Sequence, residues 1–211
     1  MTDPSAAPGP DPTTPAPNVI VPPGWERAHD CSVSFAMANL AGLLGILPIT
    51  ALLGWVFSVV WTFDRLVLGA ALGPLTFLAV FLVGIIAHEL LHGVTWTLLA
   101  RQPRRVVRYG FKWTTLSPYA NALVPLPARD YRIGIMMPGV VLGLLPAFVA
   151  IATGHGALMS VAILMTIAAG GDLLVLWLLR GKAAQSLVLD HPSRVGCLVL
   201  DVPSDPSTAR T

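Results

Sequence analysis

The sequence predicts an all-α polytopic membrane protein with about four transmembrane helices and a short β-hairpin-like cytoplasmic insertion between spans two and three. The first observation is the composition: 55% of the 211 residues are hydrophobic and only 11% are charged. The second is a set of weakly charged runs, each able to supply the roughly 20 apolar residues that cross a bilayer. The third is a concentration of arginine and lysine in a few connections between those runs.

Both ends of the chain are predicted to be disordered tails. Eight prolines precede Trp25, interspersed with Ala, Ser, Thr and Asp, and such a segment can neither build regular structure nor bury much apolar surface. We therefore expect a disordered cytoplasmic tail over residues 1–24 and a second disordered tail over 201–211. The membrane-embedded domain is expected to occupy residues 25–200.

Four spans are predicted from the apolar runs. No charged residue lies between Asp30 and Asp64, which leaves room for the first span. The second run carries Glu89 as its one acidic residue, and the last long run is divided into two by Gly-His-Gly at 154–156. The spans are predicted at about 39–62, 73–99, 133–153 and 157–179.

The distribution of basic residues predicts the orientation of these spans. The first outer connection holds only Arg65, and the connection between spans three and four holds no arginine or lysine. The connection between spans two and three is rich in both, and more follow span four. By the positive-inside rule, a cell-membrane protein with this pattern has both termini and the central connection in the cytoplasm.

The central connection contains a strand-like pattern. Tyr109, Phe111 and Trp113 alternate with Arg108, Gly110 and Lys112, which is the period-two pattern of a strand with one buried face. A second short strand is expected over 119–124, so that the two would form a hairpin. Alternatively, the same segment lies on anionic lipid headgroups through its basic side chains.

The residues that point to chemistry lie inside the second span. His88-Glu89-Leu90-Leu91-His92 is an HExxH sequence, and on a helix the two histidines, four positions apart, face the same side and can reach one metal. Zinc binds neutral imidazole nitrogens, and an open position lets bound water reach a pKa near 7. Glu89 is placed to take the proton of that water.

A third protein ligand is needed, and elimination favours Asp172. No glutamate follows Glu89, and Asp172 is the one other acidic residue inside a predicted span, at a depth matching that of His92. A carboxylate within the bilayer requires a partner, which ligation would supply. The Asp190-His191 pair on the cytoplasmic side is the competing choice, although Asp-His-Pro before a short apolar run more often forms a turn.

Several other functions were weighed. A net charge of +2 and the lack of a basic, aromatic-rich stretch argue against nucleic acid as a partner. A non-enzymatic membrane protein that binds a metal or haem, or a transporter, would also use histidines within the membrane. Haem binding would have no need of Glu89.

At these residues the chain resembles the site-2-protease-like intramembrane zinc metallopeptidases, and more closely a bacterial family of zincin membrane peptidases. The matching pieces are HELLHG at 88–93, YGFKW at 109–113, GGDLL at 170–174 and DHPSRVG at 190–196. Site-2 proteases usually carry a fuller Asn-Pro-Asp-Gly or Leu-Asp-Gly motif where this chain has Gly-Gly-Asp-Leu.

The resemblance implies a zinc-dependent membrane endopeptidase that hydrolyses peptide bonds of membrane or membrane-proximal substrates. It implies Zn²⁺ held by His88, His92 and Asp172, with Glu89 as the catalytic base. It also implies that the hairpin holds a membrane protein or peptide substrate in an extended form by strand addition. The expected partners are therefore such a substrate and the lipid bilayer.

Overall fold

The computed structural model of the chain describes residues 26–70, 73–100, 106–113 and 117–201. Helices dominate it, with a π-helical turn of six residues inside the third long helical stretch. The helices are α1 (Phe35–Trp61), α2 (Phe63–Ala70), α3 (Pro74–Leu99), α4 (Ala128–Pro138), the π-helical segment (Gly139–Leu144), α5 (Leu145–Thr153), α6 (Gly156–Ala168) and α7 (Gly170–Leu179).

Within the described ranges, three helical stretches are long and apolar enough to cross a membrane, and they are Phe35–Trp61, Leu75–Leu99 and Ala128–Thr153. The pair α6 and α7 gives a fourth if it is counted as one span, although it bends by 43° at its break. The chain is thus a membrane protein with three or four candidate spans. The predicted fourth span at about 157–179 thus corresponds to two helices, with the break just before Gly170.

The strands form two sheets. They are β1 (Glu26–Val33), β2 (Val107–Lys112), β3 (Ser117–Ala122), β4 (Leu126–Pro127), β5 (Leu187–Asp190) and β6 (Val195–Asp201). Strands β2 and β3 form an antiparallel hairpin, which confirms that expectation, and the other four form a sheet in the order β1-β6-β5-β4. The all-α expectation missed this second sheet, because β1 and β6 come from opposite ends of the chain and neither shows its partner locally.

The four-stranded sheet brings separate parts of the chain to one end of the helix bundle. Strand β1 precedes α1, β4 precedes α4, and β5 and β6 follow α7. Backbone hydrogen bonds join them, so these segments all lie on the same side of the helices. Residues 1–24 and 202–211 lie outside the described residues, whereas Asp201, expected in the C-terminal tail, is the last residue of β6.

The register of the hairpin determines which backbone groups point outward. Tyr109 lies opposite Ala120 and Val107 opposite Ala122, and just beyond them the Leu123 N–H donates to the Val106 carbonyl. Hydrogen-bonded and non-hydrogen-bonded pairs alternate in antiparallel strands. The N–H groups of Ala120 and Ala122 therefore point away from β2, toward the outer edge of β3.

Buried residues form two clusters along the bundle. One joins the sheet to the helices and includes Trp96, Tyr131 and Leu179. The other lies between α1, α5 and α6 and includes Phe57 and Met159. Large apolar side chains elsewhere on the long helices face outward, as expected where lipid is the solvent.

Candidate metal centre

Helix α3 presents both histidines of the HExxH sequence to the interior. His88 and His92 are buried, and their rings meet edge to face with centroids 4.8 Å apart. The two Nε2 atoms are 3.1 Å apart. The four-residue spacing on the helix therefore converges both imidazoles on one point, as the sequence predicted.

Asp172 completes this cluster from α7. Its Oδ2 atom lies 3.0 Å from Nε2 of His88, and its Oδ1 atom lies 3.3 Å from Nε2 of His92. The carboxylate is in the first turn of α7, directly after the break that separates this helix from α6. The structure thus brings Asp172 and the two histidines together in one cluster.

Two glycines allow α7 to approach α1 closely enough for this arrangement. A Cβ built on Gly42 would lie 2.7 Å from the Gly170 carbonyl oxygen, and one built on Gly170 would lie 2.9 Å from the Gly42 carbonyl oxygen. Only residues without side chains fit a backbone contact this close. The contact holds the helix that carries Asp172.

The donor set and its spacing fit a zinc ion. Ligand atoms bound at about 2.0–2.1 Å in a tetrahedron lie roughly 3.3 Å apart. The two Nε2 atoms are 3.1 Å apart, and each lies 3.0 or 3.3 Å from a different oxygen of Asp172, so that one ligand atom from each residue lies within 4.8 Å of the other two. Within the described part of the chain, no donor meets the buried Oδ2 of Asp172 in hydrogen-bond geometry, although Nε2 of His88 lies 3.0 Å away. A cation would satisfy that oxygen, and three protein ligands would leave one position open.

Helix α4 supports His92, and sequence reasoning missed this. Nδ1 of His92 lies 2.9 Å from the Gly134 carbonyl oxygen, and since a carbonyl can only accept, Nδ1 carries the proton and Nε2 keeps its lone pair for a metal. The His92 ring stacks on Trp96, which stacks on Tyr131. In the sequence, Trp96 one helical turn after His92 was a signal of the stacking contact, whereas a contact with a backbone carbonyl leaves no signal in the sequence.

The hairpin reaches Glu89, the residue expected to be the base. The outward N–H of Ala120 interacts with the Glu89 carboxylate. The Tyr109 hydroxyl packs on Gly93, where an added Cβ would meet it, and Gly93 is one turn after Glu89 on the same helical face. Burial, together with the Glu89 carboxylate, raises the pKa of Tyr109, so its hydroxyl stays protonated.

The competing pair Asp190 and His191 lies apart from this cluster and makes other contacts. Asp190 accepts hydrogen bonds from the Ala122 N–H and the Tyr131 hydroxyl. His191 accepts through Nδ1 from the backbone N–H groups of Ser193 and Arg194 in the turn that follows. Within the described residues, His88, His92 and Asp172 form the one group of three or more that could hold a metal ion.

A sequence profile of the family described as "Putative zincin peptidase" matches residues 81–187. The matched range includes the HExxH sequence, the hairpin and Asp172. It therefore spans half of the chain and the whole of the candidate centre. No curated protein and no solved structure matches the chain.

Proposed function

Because the chain belongs to the family described as putative zincin peptidases, we propose that it is a zinc-dependent membrane endopeptidase that cleaves membrane or membrane-proximal proteins. The observation that carries the proposal is the convergence of His88, His92 and Asp172, which each offer one ligand atom within 4.8 Å of the others, beside Glu89. Ligand convergence on an open site, with a carboxylate next to it, is the arrangement that hydrolysis requires.

The residues have distinct roles in this proposal. His88, His92 and Asp172 would hold the zinc ion, which when bound would lower the pKa of water and polarise the peptide carbonyl. Glu89 takes the proton from the attacking water as the water oxygen bonds to the carbonyl carbon. Glu89 then gives that proton to the amide nitrogen as the carbon–nitrogen bond breaks, which releases an amine and a carboxylic acid.

The hairpin is suited to present substrate in an extended form. A peptide in a helix hides its carbonyl carbons, whereas a peptide paired with a strand exposes them at regular intervals. The edge of β3 passes Glu89, where the Ala120 N–H contacts its carboxylate. We propose that a locally unwound segment of the substrate lies extended along the hairpin beside Ala120 and so comes within reach of Glu89.

The sheet supports the orientation expected from the basic residues. It joins the segment before α1 to the segments that precede α4 and follow α7, and hydrogen-bonded strands cannot lie on opposite sides of a bilayer. Arg108, Arg129 and Arg194 belong to the same end of the bundle. By the positive-inside rule we assign this end, and both termini, to the cytoplasm.

The test compares wild type with Glu89→Gln, which keeps the shape of the side chain but removes the base. We expect wild-type cells to contain membrane-protein fragments that are missing in Glu89→Gln cells, and the purified variant to keep wild-type zinc. Asp64→Asn is a matched control, because Asp64 is an exposed acid on α2. Equal fragment patterns in wild type and Glu89→Gln would refute the proposed function.

Metal or haem binding without hydrolysis is the rival that this test separates. The two Nε2 atoms are 3.1 Å apart and lie on one helix, which leaves no room for a macrocycle held between them. A protein that only stores or transports metal would keep its phenotype when Glu89 is replaced.

A further inference from the structure

Asp190 joins three parts of the molecule through one carboxylate. It is the last residue of β5, so its backbone belongs to the four-stranded sheet. Its Oδ2 accepts the Ala122 N–H of the hairpin at 2.6 Å, and its Oδ1 accepts the Tyr131 hydroxyl of α4. Among the residues that the structure describes, Asp190 is not part of the group that could hold a metal ion, and the family match ends before it.

The first of these bonds determines the position of β3. Ala120 and Ala122 both direct their N–H groups to the outer edge of the strand, about 7 Å apart along it. One of these groups contacts Glu89 and the other contacts Asp190. The two carboxylates therefore hold the same edge of the same strand, and movement at Ala122 would displace Ala120 from Glu89.

The second bond acts on the support of His92. Tyr131 stacks on Trp96 with ring centroids 5.3 Å apart, and Trp96 stacks on His92 at 5.4 Å. Nε1 of Trp96 also donates to the Tyr131 carbonyl at 3.2 Å. The Tyr131 hydroxyl fixes the far end of this stack to Asp190, so the stack has little freedom to slide.

We propose that Asp190 is a positioning residue that holds the hairpin against Glu89 and, through Tyr131, holds the aromatic stack against His92. This inference rests on the proposed function for its catalytic consequence, though not for the hydrogen bonds themselves. A buried carboxylate is a costly means of joining elements, since apolar packing of the same volume stabilises a fold at least as well. Its two directed hydrogen bonds supply what apolar packing lacks, which is a fixed distance and direction.

Asp190→Asn tests the proposal, because the amide has one oxygen acceptor for two donors. We expect kcat to fall by about tenfold, the effect of losing one hydrogen bond to a charged group, with KM changing less than about threefold. Zinc content should equal that of wild type. Hydrogen exchange of the amides in residues 107–122 should become faster, while exchange in α1 and α6 stays at the wild-type rate.

Two further variants keep the proposal falsifiable. Asp30→Asn is the matched control, because Asp30 is on β1 of the same sheet and its nearest described ionic partner is His191 at 4.0 Å. It should leave kcat and hairpin exchange unchanged. Tyr131→Phe keeps the stacked ring but releases one arm of Asp190, so kcat should fall by a few-fold while the hairpin stays protected.

Each result has a distinct meaning. Unchanged hairpin exchange in Asp190→Asn overturns the inference, and so does a kcat equal to that of Asp30→Asn. If Asp190→Asn does not fold, a wild-type kcat for Tyr131→Phe overturns it. Hydrogen exchange can be measured without activity. If wild type is inactive but hairpin exchange is faster in Asp190→Asn, the proposed function is refuted and the contact between Asp190 and the hairpin is still supported.

Discussion

The contact between Gly42 and Gly170 gives the sharpest prediction about the metal centre. In Gly42→Ala the new Cβ would lie 2.7 Å from the Gly170 carbonyl oxygen, 2.8 Å from its carbon and 3.0 Å from the Gly171 nitrogen. All three are backbone atoms, which cannot rotate away as a side chain would. The start of α7 must therefore move back by about 0.7 Å to restore an ordinary contact.

That displacement is large on the scale of metal coordination. Asp172 lies two residues after Gly170, and coordination distances tolerate a change of about 0.2 Å. We expect Gly42→Ala to lower zinc affinity by about 10- to 100-fold, the range seen when the surroundings of ligands are disturbed. The assay is competition with a chromophoric chelator on detergent-purified protein, with the thermal midpoint measured alongside.

Two neighbouring glycines supply the controls for this prediction. A Cβ on Gly171 would meet nothing within 4 Å, and one on Gly45 would lie 3.6 Å from a Leu173 methyl group, an ordinary contact. Gly171→Ala and Gly45→Ala should therefore bind zinc as wild type does. The reasoning is refuted if Gly42→Ala binds zinc as tightly as Gly171→Ala.

Three other predictions concern the hairpin, Asp190 and the support of His92. Ala120→Pro removes an N–H that takes no part in the β2–β3 pairing, and it should lower kcat/KM by about 10- to 100-fold while zinc is retained. The control Ala120→Ser keeps that N–H and should be active. Equal rates in the two variants would contradict the role of that N–H. Burial raises the pKa of Asp190 to about 6, compared with about 3.9 in the unfolded chain. The stability that the protonated Asp190 carboxyl contributes is therefore fully present below pH 4 and is lost as the pH rises through 6. The free energy of unfolding of wild type relative to Asp190→Asn should therefore fall by about 3 kcal/mol across that window, and a pH-independent difference in denaturant titrations would count against a buried carboxyl. In Gly134→Ala the new Cβ would meet the Trp96 indole, which should weaken zinc binding in the chelator assay, and unchanged affinity would show that the stack does not support His92.

The HExxH part of the centre was predictable from sequence, because the residue types and their spacing indicate metal binding on their own. On a helix, the HExxH spacing brings His88 and His92 together whatever the tertiary structure is. Asp172 was found because a carboxylate inside an apolar run needs a partner. The hairpin followed from alternation around Tyr109, although its contact with Glu89 did not.

The missing parts depend on residues that are distant in sequence. Strands β1 and β6 pair across almost the whole chain, and a short apolar run such as residues 197–200 could be strand or helix when considered alone. The break before Gly170 lies beside the close contact of Gly170 with Gly42 on α1, and that contact becomes visible only when both helices are placed. The Asp190 carboxylate was weighed as a metal ligand, yet it binds an N–H and a hydroxyl that sequence cannot locate.

X-ray absorption at the zinc edge of the purified protein tests the central claim most directly. Two imidazole nitrogens and a carboxylate oxygen at about 2.0–2.1 Å, together with one further light atom, would agree with His88, His92 and Asp172 as the ligands. The Asp172→Ala variant should lose the ion on dialysis. A sulfur ligand at about 2.3 Å, or full zinc occupancy with an unchanged spectrum in Asp172→Ala, would contradict the assignment.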